Sequence, residues 1–168
     1  GEKVTFKIKG SAPDKDLVVR ARYIPPTGHD AGGPALPDDV AKLITAKQCL
    51  ACHQVETNSV GPAYLNVALR YRDEKNALAS LQQKLKNGGA GVWGEIPMPP
   101  QAAVSEAESQ QIIRAILGLA EGITEVRGQR EGTLTLPPAP ANAAPGGAWE
   151  LTAQAPQCSF AKTRINAK

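Results

Sequence analysis

Methionine occurs once in this chain of 168 residues, histidine twice and cysteine three times, and only seven residues are aromatic. So short an inventory of reactive side chains restricts the chemistry. A structural zinc site wants four soft ligands, usually as two close pairs, and here Cys49 and Cys52 make one pair while Cys158 stands alone. No apolar run approaches the roughly 18 residues that a membrane span requires, so no span is expected within this chain. No basic run interleaved with aromatics marks a nucleic-acid footprint. Nor does a charged and then apolar leader open the sequence. With 42% hydrophobic residues the chain can still bury a real core, as one domain or as one domain plus a small module.

Charge is spread unevenly. Residues 37–122 carry eight Lys/Arg against nine Asp/Glu, whereas residues 1–36 carry six against four and residues 123–168 five against three. The central segment is nearly neutral, and the basic flanks read as solvated faces of a sheet rather than as a docking patch.

What is present concentrates at residues 49–53, C-L-A-C-H. This is the attachment signature of a c-type haem. Two thiols at a short fixed spacing can add across the porphyrin vinyl groups, and the imidazole that follows becomes the proximal iron ligand. On a helix Cys49, Cys52 and His53 stand at i, i+3 and i+4, on one face. A thioredoxin-like redox pair would want a βαβ setting, but Val40, Leu43 and Ile44 before the motif recur at helical spacing. A six-coordinate haem of the His/Met kind needs a thioether on its other face, and Met98 is the only methionine. It sits in I-P-M-P-P over residues 96–100, where three prolines fix φ and stiffen the loop. A single methionine is more often core filler, and the stiff loop argues against that here. His29, in a Pro/Gly-rich stretch, is the alternative second ligand and reads as a solvent-exposed loop residue. Cys158 reads as a buried free thiol, with a bridge to another chain as the alternative.

Four blocks in order, QCLACHQV over 48–55, VGPAY over 60–64, GGAGVWG over 88–94 and IPMPP over 96–100, resemble the small class I cytochromes c, close to the bacterial c-551/c8 type. The resemblance covers residues 37–122. It implies an all-α haem domain with one covalent haem c, in which Pro62 orients the proximal imidazole through its carbonyl and Trp93 hydrogen-bonds a haem propionate. It also implies an extracytoplasmic, periplasmic setting, and hence a leader or upstream domain ahead of Gly1.

Period-two alternation marks strands at residues 3–9, with Val4, Phe6 and Ile8 on one face, and at 17–23, with Leu17, Val19, Ala21 and Tyr23. Residues 24–37 read as a linker. Asp38 and Asp39 open a helix expected to run to about His53. Further helices are expected over 63–71 and 74–87, the second with Leu78, Leu81 and Leu85 on one stripe. The last follows a capping box at Ser105 and Glu108 and ends at Gly122. Gly118 inside it either lets the first and last helices approach closely or is merely tolerated. Strands return at 133–136, 149–155 and, more weakly, 160–167.

The expected architecture is α+β: an all-α haem domain at 37–122, flanked by or inserted into a small antiparallel sheet or sandwich built from 1–36 and 123–168. Phe6, Tyr23, Trp149 and Phe160 would seed that second core. Alternatively, the flanks complete a neighbouring domain of a larger polypeptide. The expected function is one-electron transfer without bond-making chemistry, between a redox partner protein or upstream dehydrogenase domain and an acceptor. Two other classes stand beside it. A peroxidase or gas-binding haem would require Met98 to be off the iron. Alternatively, the strands with Arg20, Arg22 and Trp149 form a carbohydrate- or protein-binding module.

Overall fold

A computed structural model describes residues 1–26, 34–141, 143, 145–155 and 158–166; of strand residues 158–162, 164 and 166 it gives the backbone alone. His29 and the side chains of Cys158 and Phe160 lie outside the described residues. The chain divides into two compact units, Gly1–Ala31 with Gly122–Lys168, and Gly32–Glu121. The first contains β1 (Lys3–Lys7), β2 (Val18–Ile24), β3 (Ile123–Arg127), β4 (Glu131–Thr135), β5 (Ala148–Ala155) and β6 (Cys158–Asn166). The second contains α1 (Asp38–Ala46), α2 (Tyr64–Tyr71), α3 (Ala77–Asn87) and α4 (Glu106–Gly118). The protein is thus a mixed α+β chain. Among the described residues, no helix is long and apolar enough to cross a membrane.

The strand unit is discontinuous in sequence and closes through pairing across the interruption. β2 pairs antiparallel with β3, Val18 opposite Arg127 through Arg22 opposite Ile123, so the chain leaves the unit from one strand and re-enters on its neighbour. One sheet has the order β3-β2-β5-β6, and β1 pairs with β4 in a second. β1 and β2, adjacent in sequence, therefore lie in different sheets. The reason is visible in the core: Val4, Phe6 and Ile8 of the first segment and Leu134 and Leu136 pack with Val19, Ala21 and Leu151 of the larger sheet, which is how two sheets bury their apolar faces against each other. The stretch between β1 and β2 is tied down by Arg130, which donates to the carbonyls of Gly10 (2.7 Å) and Ala12 and to Asp14 Oδ1 (2.9 Å).

β2 is central, and its second face carries charge. Arg20 Nε donates to Glu125 Oε2 at 3.0 Å and Arg22 Nη2 to Glu150 Oε1 at 2.7 Å, each across a strand pair. Arg20 and Glu150 are buried, where a charge is tolerated only when paired. Trp149 donates from Nε1 to the Pro137 carbonyl at 2.8 Å and meets Tyr23 edge-on, ring centroids 5.7 Å apart. These three residues, candidates for a binding face from sequence, are engaged inside the unit.

In the helical unit Val40 and Ile44 of α1, Leu65, Ala68 and Leu69 of α2, and Ile112, Ile113 and Ile116 of α4 are buried. Tyr71, Ala77, Leu81 and Ile113 form a further cluster flanked by Leu78. α3 starts three residues later than expected, because the Glu74 carbonyl accepts from Ala77 N–H in a turn that precedes it. A Cβ at Gly118 would meet nothing within 4 Å, so no close helix approach requires that glycine.

α1 is pinned to α4 at both ends. Gln111 Nε2 donates to Asp39 Oδ2 at 2.7 Å. At the other end Lys47 Nζ reaches the Ala103 carbonyl at 2.7 Å and Glu108 Oε1 at 3.0 Å. Glu108 also accepts from Ser105 N–H at 2.8 Å, while Ser105 Oγ accepts from Glu108 N–H at 3.3 Å, a complete capping box. The Ser105 backbone and then Lys47 hold the Glu108 carboxyl below its ordinary range. A carboxyl lowered on folding adds stability above its unfolded pKa and loses it as pH falls through the folded value. Urea unfolding followed from neutral to acid pH should therefore show an acid loss of stability that Glu108→Gln flattens. Ser105→Ala should cost about 1 kcal/mol at neutral pH.

Candidate functional site

α1 stops at Ala46, short of the motif. Gln48 takes a left-handed conformation (φ 58°, ψ 22°), which costs a non-glycine residue on the order of 1 kcal/mol and turns the chain out of the helix. The expectation of a helix through His53 is corrected here: residues 49–53 form a separate turn. The Cys49 carbonyl accepts from both Cys52 N–H (3.3 Å) and His53 N–H (3.1 Å), so the two cysteines and the histidine stay on one closed turn that begins as the 3₁₀ segment Cys49–Ala51.

The chain then folds back on this turn. Gly61 N–H donates to the Cys52 carbonyl (2.8 Å), Tyr64 N–H to that of Gln54 (2.9 Å) and Leu65 N–H to that of Val55 (2.9 Å). Asn58 Oδ1 accepts from Ala63 N–H and from Asn66 Nδ2, both at 2.8 Å. The return places the Pro62 carbonyl 2.7 Å from His53 Nδ1. A carbonyl can only accept, so Nδ1 donates to it, and in the neutral ring that tautomer leaves the lone pair on Nε2. The Tyr64 ring, buried at the start of α2, stacks on the imidazole with centroids 5.2 Å apart and planes 17° from parallel. Burial pushes the Tyr64 hydroxyl well above its ordinary range, with the neighbouring Cys49 adding to the shift. Burial likewise raises the Cys49 thiol, offset in part by its hydrogen bond with Tyr64. Cys49 and Cys52 form no disulfide with each other, and both side chains are half-buried.

Met98 lies on a separate segment. Its backbone forms a two-bond bridge with Gly89: Met98 N–H donates to Gly89 O (2.9 Å) and Gly89 N–H to Met98 O (3.0 Å). Met98 is half-buried among exposed neighbours. Trp93 is 43% exposed, with the Arg70 guanidinium 5.5 Å above its ring. Among the described residues, the exposed large apolar side chains are Leu50, Val60, Val92, Trp93 and Ile96. All five belong to the segments that carry the motif residues. Such a concentration marks surface that an apolar ligand covers. Two cysteine side chains in one turn, an imidazole whose Nδ1 is engaged by Pro62, a thioether and an apolar lining fit a covalently attached haem.

Comparison with known proteins decides the family. The Cytochrome c family model matches residues 38–119. Cytochrome c-552 of Nitrosomonas europaea is 47% identical over 79 residues, 47% of this chain and 77% of the relative. Cytochrome c-552 of Hydrogenobacter thermophilus is 46% identical over 46% of this chain and 79% of the relative. Cytochrome c-551 of Pseudomonas aeruginosa is 46% identical over 49% of this chain and 79% of the relative. The chain belongs to the cytochrome c family. It contains a class I c-type cytochrome haem domain, carries one covalently bound haem c and serves electron transfer. Strands β1–β6 lie outside the matched residues.

Sequence reasoning on this cytochrome missed Gly61. Its φ is unexceptional, yet a Cβ there would stand 2.5 Å from His53 Cε1 and 2.8 Å from Nδ1. The glycine itself, in a bend where its φ does not require one, was the one available signal of a close approach. Tyr64 was counted only as part of a block, and its stacking became visible through the fold. Gly61→Ala should displace the imidazole. The expected result is a changed pattern of paramagnetically shifted haem and His53 proton resonances in the oxidised protein, with the covalent haem mass retained.

Proposed function

We propose that residues 37–122 form an all-α haem domain that passes single electrons, in which Cys49 and Cys52 would hold the porphyrin through thioether links and His53 and Met98 would hold its iron. Residues 1–36 and 123–168 form the discontinuous β module into which it is inserted. The observation that carries this reading is the His53 Nδ1–Pro62 hydrogen bond, set beside two cysteines in one turn. It fixes the tautomer that exposes Nε2 for ligation and holds the ring against rotation, as partners of ligating histidines do. When bound, haem supplies an iron that alternates between ferric and ferrous states.

The residues do the rest. With His53 and Met98 both on the iron, no coordination position would be left open for bond-making chemistry. The methionine sulfur and the apolar, nearly neutral surroundings both favour the reduced form, so the potential is positive. The Trp93 indole, with Arg70 over its ring, would donate to a propionate. The setting is extracytoplasmic, and the exchange partner is a redox protein or a dehydrogenase domain of the same polypeptide. Redox encounters bury little surface.

Two measurements test this. The unfolded chain, made in a host that matures c-type cytochromes, should retain an added haem mass. A chain without it ends the proposal. The oxidised protein should show the near-infrared-edge charge-transfer band of ferric iron bound to methionine sulfur. Met98→Ala should abolish that band and lower the potential by on the order of 0.1 V, within the roughly 0.8 V that axial ligands span. A wild type lacking the band would have its iron either held by His29 instead or open, as in the peroxidase or gas-binding class.

A further inference from the structure

The segment bearing Met98 is held by main chain. Besides the two bonds with Gly89, Gln101 N–H donates to the Leu85 carbonyl at 2.9 Å, and Gly88 N–H to that of Lys84 at 2.8 Å. The last turn of α3 and the proline-rich loop are therefore stitched backbone to backbone. Between them stands Gly88, at φ +70° and ψ −153°, a conformation essentially reserved for glycine. A Cβ there would fall on the Met98 carbonyl oxygen, 2.9 Å from Pro100 N and 3.0 Å from the Pro99 carbonyl carbon. All three are backbone atoms of a stretch stiffened by Pro97, Pro99 and Pro100, so none can swing aside as a side chain would. The other glycines of this loop differ: at Gly89, Gly91 and Gly94 a Cβ would meet nothing within 4 Å.

The geometry points to Gly88 as a positioning residue for the second axial ligand. By having no side chain it lets the end of α3 close directly on the Met98 backbone, so the helix sets where the sulfur stands. This rests on the reading of Met98 as an iron ligand. It follows that the hold on the sulfur tracks the integrity of the last turn of α3, and that loosening that turn opens the iron to outside ligands.

The test uses the oxidised holoprotein, with the methionine charge-transfer band and the affinity for added imidazole as readouts. Gly88→Ala is compared with Gly122→Ala, a glycine that also has a positive φ (+65°) but nothing within 4 Å, which introduces positive-φ strain without the collision. Lys86→Gly, at an exposed position in the last turn, frays the helix without touching the loop. Gly88→Ala is expected to lose the band, or to bind imidazole at least tenfold more tightly, while Gly122→Ala keeps both wild-type properties. Lys86→Gly is expected to raise imidazole affinity about fivefold, the ratio given by ~1 kcal/mol of helix weakening. Wild-type band and affinity in Gly88→Ala would overturn the inference. So would equal losses in Gly122→Ala. Should Gly88→Ala yield no haem-loaded protein, Lys86→Gly decides, and unchanged imidazole affinity there overturns it. A wild type without the band overturns the Met98 reading itself, and this inference with it.

Discussion

The hydrogen bond between His53 Nδ1 and the Pro62 carbonyl is the constraint on which the haem-site half of the molecule depends. It holds a ring that would otherwise rotate about its own side chain, and it fixes which nitrogen bears the proton. For the Pro62 carbonyl to arrive there, residues 54–63 must double back on the motif turn. The bonds from Gly61, Tyr64 and Leu65 to carbonyls of residues 52, 54 and 55 bring that about, and Asn58 ties the return through its side chain. Gly61 and Tyr64 then occupy space against the imidazole itself. Position, tautomer and packing of one side chain thus emerge from a single closed loop.

The two halves of the site are carried by different supports. The motif turn follows α1, which Gln111 and Lys47 join to α4 at its two ends. The methionine segment is carried by α3 through main-chain bonds. Since α3 and α4 share the cluster of Tyr71, Ala77, Leu81 and Ile113, the apolar packing that stabilises the helices also sets the frame for both proposed ligands. An electron carrier benefits from such a frame, because ligands that stay in place as the iron changes charge need little reorganisation.

The strand unit solves a different problem, keeping one core intact around an interruption of about ninety residues. Antiparallel pairing of β2 with both β3 and β5 joins the two ends of the chain through ladders rather than through a hairpin. The ion pairs of Arg20 with Glu125 and Arg22 with Glu150 lie across those same ladders. A register slip would leave buried charges unmatched, so the pairs favour this alignment over its neighbours.

Several features were legible in the residues alone. The haem signature at 49–53 is chemistry at a fixed spacing and survives any fold. Val4 and Phe6 alternate because one face of a strand is wet, and Ser105 with Glu108 announces a helix start because the box is closed within four residues. β3 escaped notice because Glu125 and Arg127 interrupt its apolar pattern, and their placement makes sense only once Arg20, more than a hundred residues away in sequence, is beside them. The break at Gln48 was equally hidden, since nothing in a glutamine signals a left-handed turn.

The amino-acid sequence by itself thus determined the cofactor, the family and the identity of most elements, since these rest on spacing, periodicity and caps that act over a few residues. Tertiary structure alone decided that Gly61 must leave room for an imidazole, that Gly88 must leave room for the Met98 backbone and that β1 pairs with β4 rather than β2. The physical reason is common to all three. Steric exclusion and strand pairing depend on which distant atoms arrive at the same place, and local sequence does not encode that arrival.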